Sequence, residues 1–188
     1  MSSRTTPNYL AAYPATLVDP VRRLIEEGRL GGALLRKYPE AHGLRTDSAL
    51  YDYVQGIKAE HLRNAGPLSK VLYDSKLQVL RQALGTHTNI ARVQGAKLTA
   101  KREIRVAAVF RDMPPAFLQM IVVHELAHLR QREHDKAFYQ LCRYMAPDYH
   151  QLEFDLRVYL SYLDAGGAPL WAPPAAAPSG LQPDASGD

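Results

Sequence analysis

Apolar residues in the first third of the chain recur at helical spacing. Leu17, Val21, Leu24 and Ile25 line one side of "TLVDPVRRLIEEG", and Leu30, Leu34 and Leu35 one side of "RLGGALLRKYP", with Gly28 and Pro39 as stops. Two short helices are expected there. A third, from about Thr46 to Asn64, carries Leu50, Tyr53, Val54, Ile57 and Leu62 and is closed by "NAGP". A fourth stripe, Leu77, Leu80 and Leu84, ends at Gly85, whose freedom at positive φ suits a helix C-cap. These segments read as a helical prefix that supports a core.

The period then shortens. "NIARVQ" and "REIRVAAVF" are rich in β-branched residues and are separated by "GAKLTAK", which predicts a hairpin of two strands. In the second strand Ile104, Val106, Ala108 and Phe110 fall on one face, and Arg105, Ala107, Val109 and Arg111 on the other. Two prolines in "RDMPP" then open a long helix, where their missing N–H groups would be unpaired anyway. It runs from Pro114 to about Arg132, with Phe117, Leu118, Ile121, Val122, Leu126 and Leu129 as a broad apolar face. Asp135 is placed to cap a helix through Met145, and "PDYHQLEFDLRVYLSYL" supplies a last one to about Leu163. The fold class is α+β.

Composition sets the outer limits. The chain has 188 residues, 46% of them hydrophobic, which is one domain's worth of core. The expected domain occupies residues 1–164. From Ala165 to Asp188 the sequence is dominated by Ala, Pro, Gly and Ser, with only Leu170, Trp171 and Leu181 to bury, and reads as a mostly disordered tail. No stretch is apolar for long enough to span a bilayer, and no cationic segment followed by an apolar run opens the chain, so a soluble cytoplasmic protein without a membrane partner is expected. The lone Cys142 agrees, and its neighbours Phe138, Leu141 and Met145 at helical spacing make it a buried structural thiol. A net charge of +4, scattered among acidic residues, does not point to a nucleic-acid binder.

"VVHELAHLRQREH" carries the chemistry. On a helix His124 and His128 are about 40° apart in azimuth and roughly 6 Å apart along the axis, so both imidazoles reach one ion. Glu125 then stands beside a water in the ion's open position, where a general base is needed. Three neutral imidazoles leave such a position, whereas two hold an ion poorly. His134 is the nearest third ligand. A continued helix would carry it about 9 Å past His128, so the chain must break between Leu129 and Glu133, although "RQRE" contains no residue that turns easily. A carboxylate of the last helix, Glu153 or Asp155, is the alternative. His87 and His150 are the other histidines to watch near the site, while Cys is missing from the motif, which speaks against a purely structural zinc site.

"RVQGAKL", "EIRVAAVFR", "MIVVHELAHL", "KAFYQLCRYM" and "YHQLEFD" together resemble the YgjP-type metal-dependent hydrolases, which are related in motif to the SprT and WLM metallopeptidases. The resemblance spans about Tyr9 to Leu163. It implies a zincin-like α+β domain, zinc held by His124, His128 and His134, and Glu125 as the catalytic residue. Members are called metallopeptidases from the motif and also UTP pyrophosphatase. The expected activity is zinc-dependent hydrolysis of a peptide or unfolded polypeptide, lying along a strand edge near residues 92–94. The alternative substrate is UTP, whose phosphates would need cations such as Lys97, Lys101, Arg102, Arg105 and Arg111, with Arg105 best placed for a bidentate grip.

Overall fold

The computed structural model describes residues 9–77 and 102–171. Helix α1 (Ala15–Glu26) buries Val18 and Val21, with Leu24 and Ile25 partly covered. Leu17 stays 48% exposed, and Val18 takes its place at the start of the buried stripe. Gly28, at φ 67°, ends the helix: its N–H donates to Ile25 O, and the next N–H, from Arg29, reaches back to Leu24 O. A side chain would be strained in that left-handed conformation. Helix α2 (Leu30–Lys37) buries Leu30 and Leu34 and leaves Leu35 exposed. In α3 (Asp47–His61) the Thr46 hydroxyl caps the first turn by accepting from Ala49 N at 3.2 Å.

The described sheet pairs the second expected strand with one that the sequence pattern did not mark. Strand β2 (Arg102–Ala107) lies parallel to β1 (Leu68–Asp74), with Val71 opposite Ile104 and Tyr73 opposite Val106. The segment "NIARVQ", the stripe from Leu80 to Gly85 and His87 lie outside the described residues. A register irregularity between Leu68 and Lys70 breaks the two-residue alternation of β1, which removes the usual sequence sign of a strand. Asp47 at the start of α3 accepts from Tyr73 N, and Tyr73 donates its hydroxyl proton to Leu44 O at 2.6 Å, so β1 is tied to that helix.

Strand β2 is also shorter than expected. A 3-10 turn, Ala108–Asp112, follows it directly, leaving Phe110 buried but Val109 exposed. His42 stabilises that turn from the side: its Nε2–H donates to Phe110 O at 2.6 Å, its backbone N–H donates to Met113 O, and its Nδ1 accepts from Leu44 N. Those roles fix a neutral ring, and burial lowers its pKa further.

Helix α4 (Pro115–Ala127) is covered almost all round, with Phe117, Leu118, Met120, Ile121, Val122, Val123 and Leu126 buried. It packs against α3, β2, α5 (Lys136–Met145) and α6 (Tyr149–Asp164). So many large side chains on one helix place it at the centre of the core, as the sequence pattern requires. Asp135 caps α5 as expected, accepting from Phe138 N at 2.9 Å.

The packed part of the chain extends past α6. Trp171 is 5% exposed, donates Nε1–H to Tyr38 O at 2.7 Å, and lies against Phe117 and Tyr159 with ring centroids 5.8 and 4.7 Å away. A boundary at Ala165 is therefore too early. The composition of 165–171 is that of a tail, but one indole with a buried acceptor outweighs it. Trp171→Ala should lower the unfolding free energy by about 3 kcal/mol, the low end for an aromatic deleted from a core, and truncation after Asp164 by at least as much. Urea denaturation checks this, and a loss under about 1 kcal/mol would mean that the segment only rests on the surface.

Candidate metal centre

The site begins where α4 stops. His124 and Glu125 occupy its last full turn and His128 is its C-cap. Beyond that point the backbone tightens: Leu129 N donates to Leu126 O, and both Arg130 N and Gln131 N donate to Ala127 O. The His128 ring holds the turn, its Nδ1–H donating to Gln131 O at 2.9 Å. The break falls earlier than the interval from Leu129 to Glu133, so "RQRE" need not contain a glycine. An imidazole takes the carbonyl that a continued helix would have used.

The fold-back returns His134. Its Nε2 lies 3.1 Å from His124 Nε2, and His128 Nε2 lies 3.2 Å from the same atom. Ligand atoms of the three residues all fall within 4.8 Å of one another. Nitrogens bound at 2.0–2.1 Å to one tetrahedral ion are about 3.3 Å apart, so the cluster has the spacing that an ion needs. The Phe138 ring packs against all three imidazoles, with centroids 5.0, 4.7 and 4.6 Å from those of His124, His128 and His134. It was legible only as a core position of α5.

Electrostatics favour neutral rings. Burial lowers the pKa of His124 well below its ordinary value, with His128, His134 and Arg157 adding to the effect, and burial also lowers that of His128. Since Gln131 O can only accept, the His128 proton sits on Nδ1 and its Nε2 offers a lone pair to the cluster. Such donors fit a divalent cation of the zinc type. Glu125 stands in a dry setting that pushes its carboxyl up to about 7.

The alternative ligands are engaged elsewhere. Glu153 accepts from Arg157 Nη2 at 2.9 Å on the same helix. Asp155 accepts from Tyr38 and Lys37, both at 2.5 Å, and from Gln151 at 3.0 Å. Both carboxylates are thus committed to partners other than the imidazole cluster. His150 is exposed and stands two rings away from the cluster: its ring centroid is 5.3 Å from Tyr139, which is 6.4 Å from His134.

Arg105 does not stand free as a phosphate grip. Its guanidinium pairs with Asp74 at 2.8 Å and Glu103 at 3.0 Å, and its hydrogen bond holds the Asp74 carboxyl below its usual range. The parallel partner strand supplies Asp74, which the hairpin expectation left out. Arg111 lies over the Tyr73 ring, 4.8 Å from its centroid. Arg102, by contrast, reaches the turn after His128, with Nη1 3.5 Å from Leu129 O. Lys97 and Lys101 lie outside the described residues.

A buried helix ending in two imidazoles and a carboxyl, with a third imidazole folded back onto it, is the arrangement of a metallopeptidase-like domain. Residues 72–159 match the family described as "YgjP-like, metallopeptidase domain". A UTP pyrophosphatase of Escherichia coli (strain K12) is 58% identical over 158 residues, covering 84% of this chain and 95% of that relative. The chain belongs to the YgjP-like family. No solved structure matches it.

His134→Ala should lose bound metal as completely as His128→Ala, while Glu153→Gln should retain it. Metal content of the purified, folded variants decides this: metal kept without His134 and lost without the Glu153 carboxylate would move the third ligand to α6.

Proposed function

We propose that the protein is a zinc-dependent pyrophosphatase acting on UTP in the cytoplasm, with His124, His128 and His134 as ligands and Glu125 as the base. The observation that carries the hydrolytic reading is the convergence of the three Nε2 atoms of His124, His128 and His134, with Glu125 next to His124 in the last turn of the same helix. The relative named UTP pyrophosphatase carries the choice of substrate, since its 58% identity extends over nearly its whole length. It reverses the order expected from the motif, in which peptide came first. No helix among the described residues is long and apolar enough to cross a membrane, which is compatible with a site facing the nucleotide pool.

Zinc held by the three imidazoles supplies Lewis acidity, neutralising charge on a phosphoryl oxygen and making a water easier to deprotonate. The chain's own groups do the rest. Glu125 takes a proton from the attacking water at its carboxylate and returns it to the leaving group. The water oxygen bonds to the α-phosphorus, the bond from that phosphorus to the bridging oxygen breaks, and pyrophosphate leaves with the proton that Glu125 hands on. UMP remains. Phe138 backs the three rings with a hydrocarbon wall, which excludes water from behind them and strengthens each charge interaction in front. Arg102, at the turn after His128, is a cation for the phosphate chain, in the part that the sequence suggested for Arg105.

A peptidase reading has one specific support, the description of the matched domain. The two are separated by giving the zinc-loaded protein UTP and, in parallel, an unfolded polypeptide. UMP and pyrophosphate should form in equal amounts while the polypeptide stays intact. Glu125→Gln should keep its zinc and lower kcat for UTP by about 10²-fold or more. Cleaved polypeptide with untouched UTP would replace this proposal, and full turnover by Glu125→Gln would remove Glu125 from the mechanism.

A further inference from the structure

The Nδ1 atom of His124 faces away from the cluster and meets the Tyr149 hydroxyl at 2.8 Å. Tyr149 is the first residue of α6 and is fully buried; its ring lies nearly parallel to that of His124, 20° apart at 6.5 Å. The same hydroxyl interacts with the buried Cys142 thiol on α5. Three helices thus contribute one side chain each to a line running from the core to the cluster.

The direction of that line follows from the other end. His128 must carry its proton on Nδ1, so its Nε2 presents a lone pair. Were the His124 proton on Nε2, it would lie between that lone pair and the space where three nitrogens meet. A centre open to a cation therefore needs the proton of His124 on Nδ1, and Nδ1–H needs an acceptor. A tyrosine oxygen can accept only while its own proton points elsewhere. The Cys142 sulfur, kept as a thiol by a pKa that burial raises to about 12, provides that elsewhere.

We propose that Tyr149 is a positioning residue of the metal centre: it accepts the Nδ1 proton of His124, donates its own to Cys142, and so fixes the tautomer and ring orientation that aim Nε2 at the ion. The proposal rests on the metal-site part of the reading above and is independent of the substrate. Partners of this kind typically change metal affinity by 10–100-fold when removed. Sequence pattern alone does not mark Tyr149, because Tyr in "PDYHQLEFD" reads as an ordinary apolar position of a helix start.

The probe is zinc itself, titrated into the full-length metal-free protein against a chelator of known affinity. Tyr149→Phe should weaken zinc binding by 10–100-fold. Cys142→Ser, which still accepts from the tyrosine, should stay within about threefold of the original chain, whereas Cys142→Ala should weaken binding, because the tyrosine proton can then turn towards Nδ1. Long-range ¹H–¹⁵N spectra of the metal-free protein should show the His124 proton on Nδ1, and in Tyr149→Phe a share of it on Nε2. This second measurement needs no variant, so it stands even if Tyr149→Phe fails to fold. Zinc affinity within about twofold in Tyr149→Phe, or a His124 proton on Nε2 in the original chain, overturns the role of Tyr149. Zinc binding that behaves as expected with no turnover of UTP overturns the substrate assignment and leaves Tyr149 in place.

Discussion

Everything at the site depends on α4 ending at Ala127. The helix is so thoroughly apolar that its burial costs nothing along most of its length, but its last turn carries the His124 imidazole into the same core, with Glu125 and His128 half-buried beside it in sequence. Polar groups at that depth must be satisfied. Because the chain leaves the helix axis at His128, the His128 ring finds Gln131 O and His134 swings back to the other two rings. One more helical turn would have sent His134 away, and His124 and His128 would have faced a gap.

The sequence shows the parts whose signal is local. HExxH on an apolar helix, the Asp135 cap and the glycine at the end of α1 each depend on residues within a few positions, and the structure places all three where spacing predicts. Non-local features were hidden. Strand β1 finds its partner some thirty residues away and in parallel, and its irregular register erases the alternation by which a strand is recognised. Asp74 follows from that pairing, so the neutralisation of Arg105 could not be seen either. The roles of Tyr149 and Trp171 were hidden for a related reason: each depends on a partner far along the chain, His124 and Tyr38 respectively.

Charge along the last helix is arranged in pairs. Glu153 with Arg157, and Asp155 with Tyr38 and Lys37, are distributed along one helix, α6, whose first residue is Tyr149. Asp155 ties this helix to Lys37 and Tyr38, and Arg157 ties it to Tyr9 O, so it is held in place by polar contacts as well as packing. A helix fixed in rotation and height is what a hydrogen bond to a ligand ring demands, because the bond from Tyr149 to His124 tolerates only a few tenths of an ångström.

The indole that packs beside Phe117 has a consequence for synthesis. During translation α4 emerges long before residue 171, and Phe117 and Tyr159 lack their final cover until the indole arrives. The nascent chain therefore carries an incompletely covered aromatic face late in its synthesis, a surface of the kind that chaperones bind and that drives premature association. Closure of the interior is coupled to completion of the segment after α6, so the rings that form the centre are assembled early and sealed late.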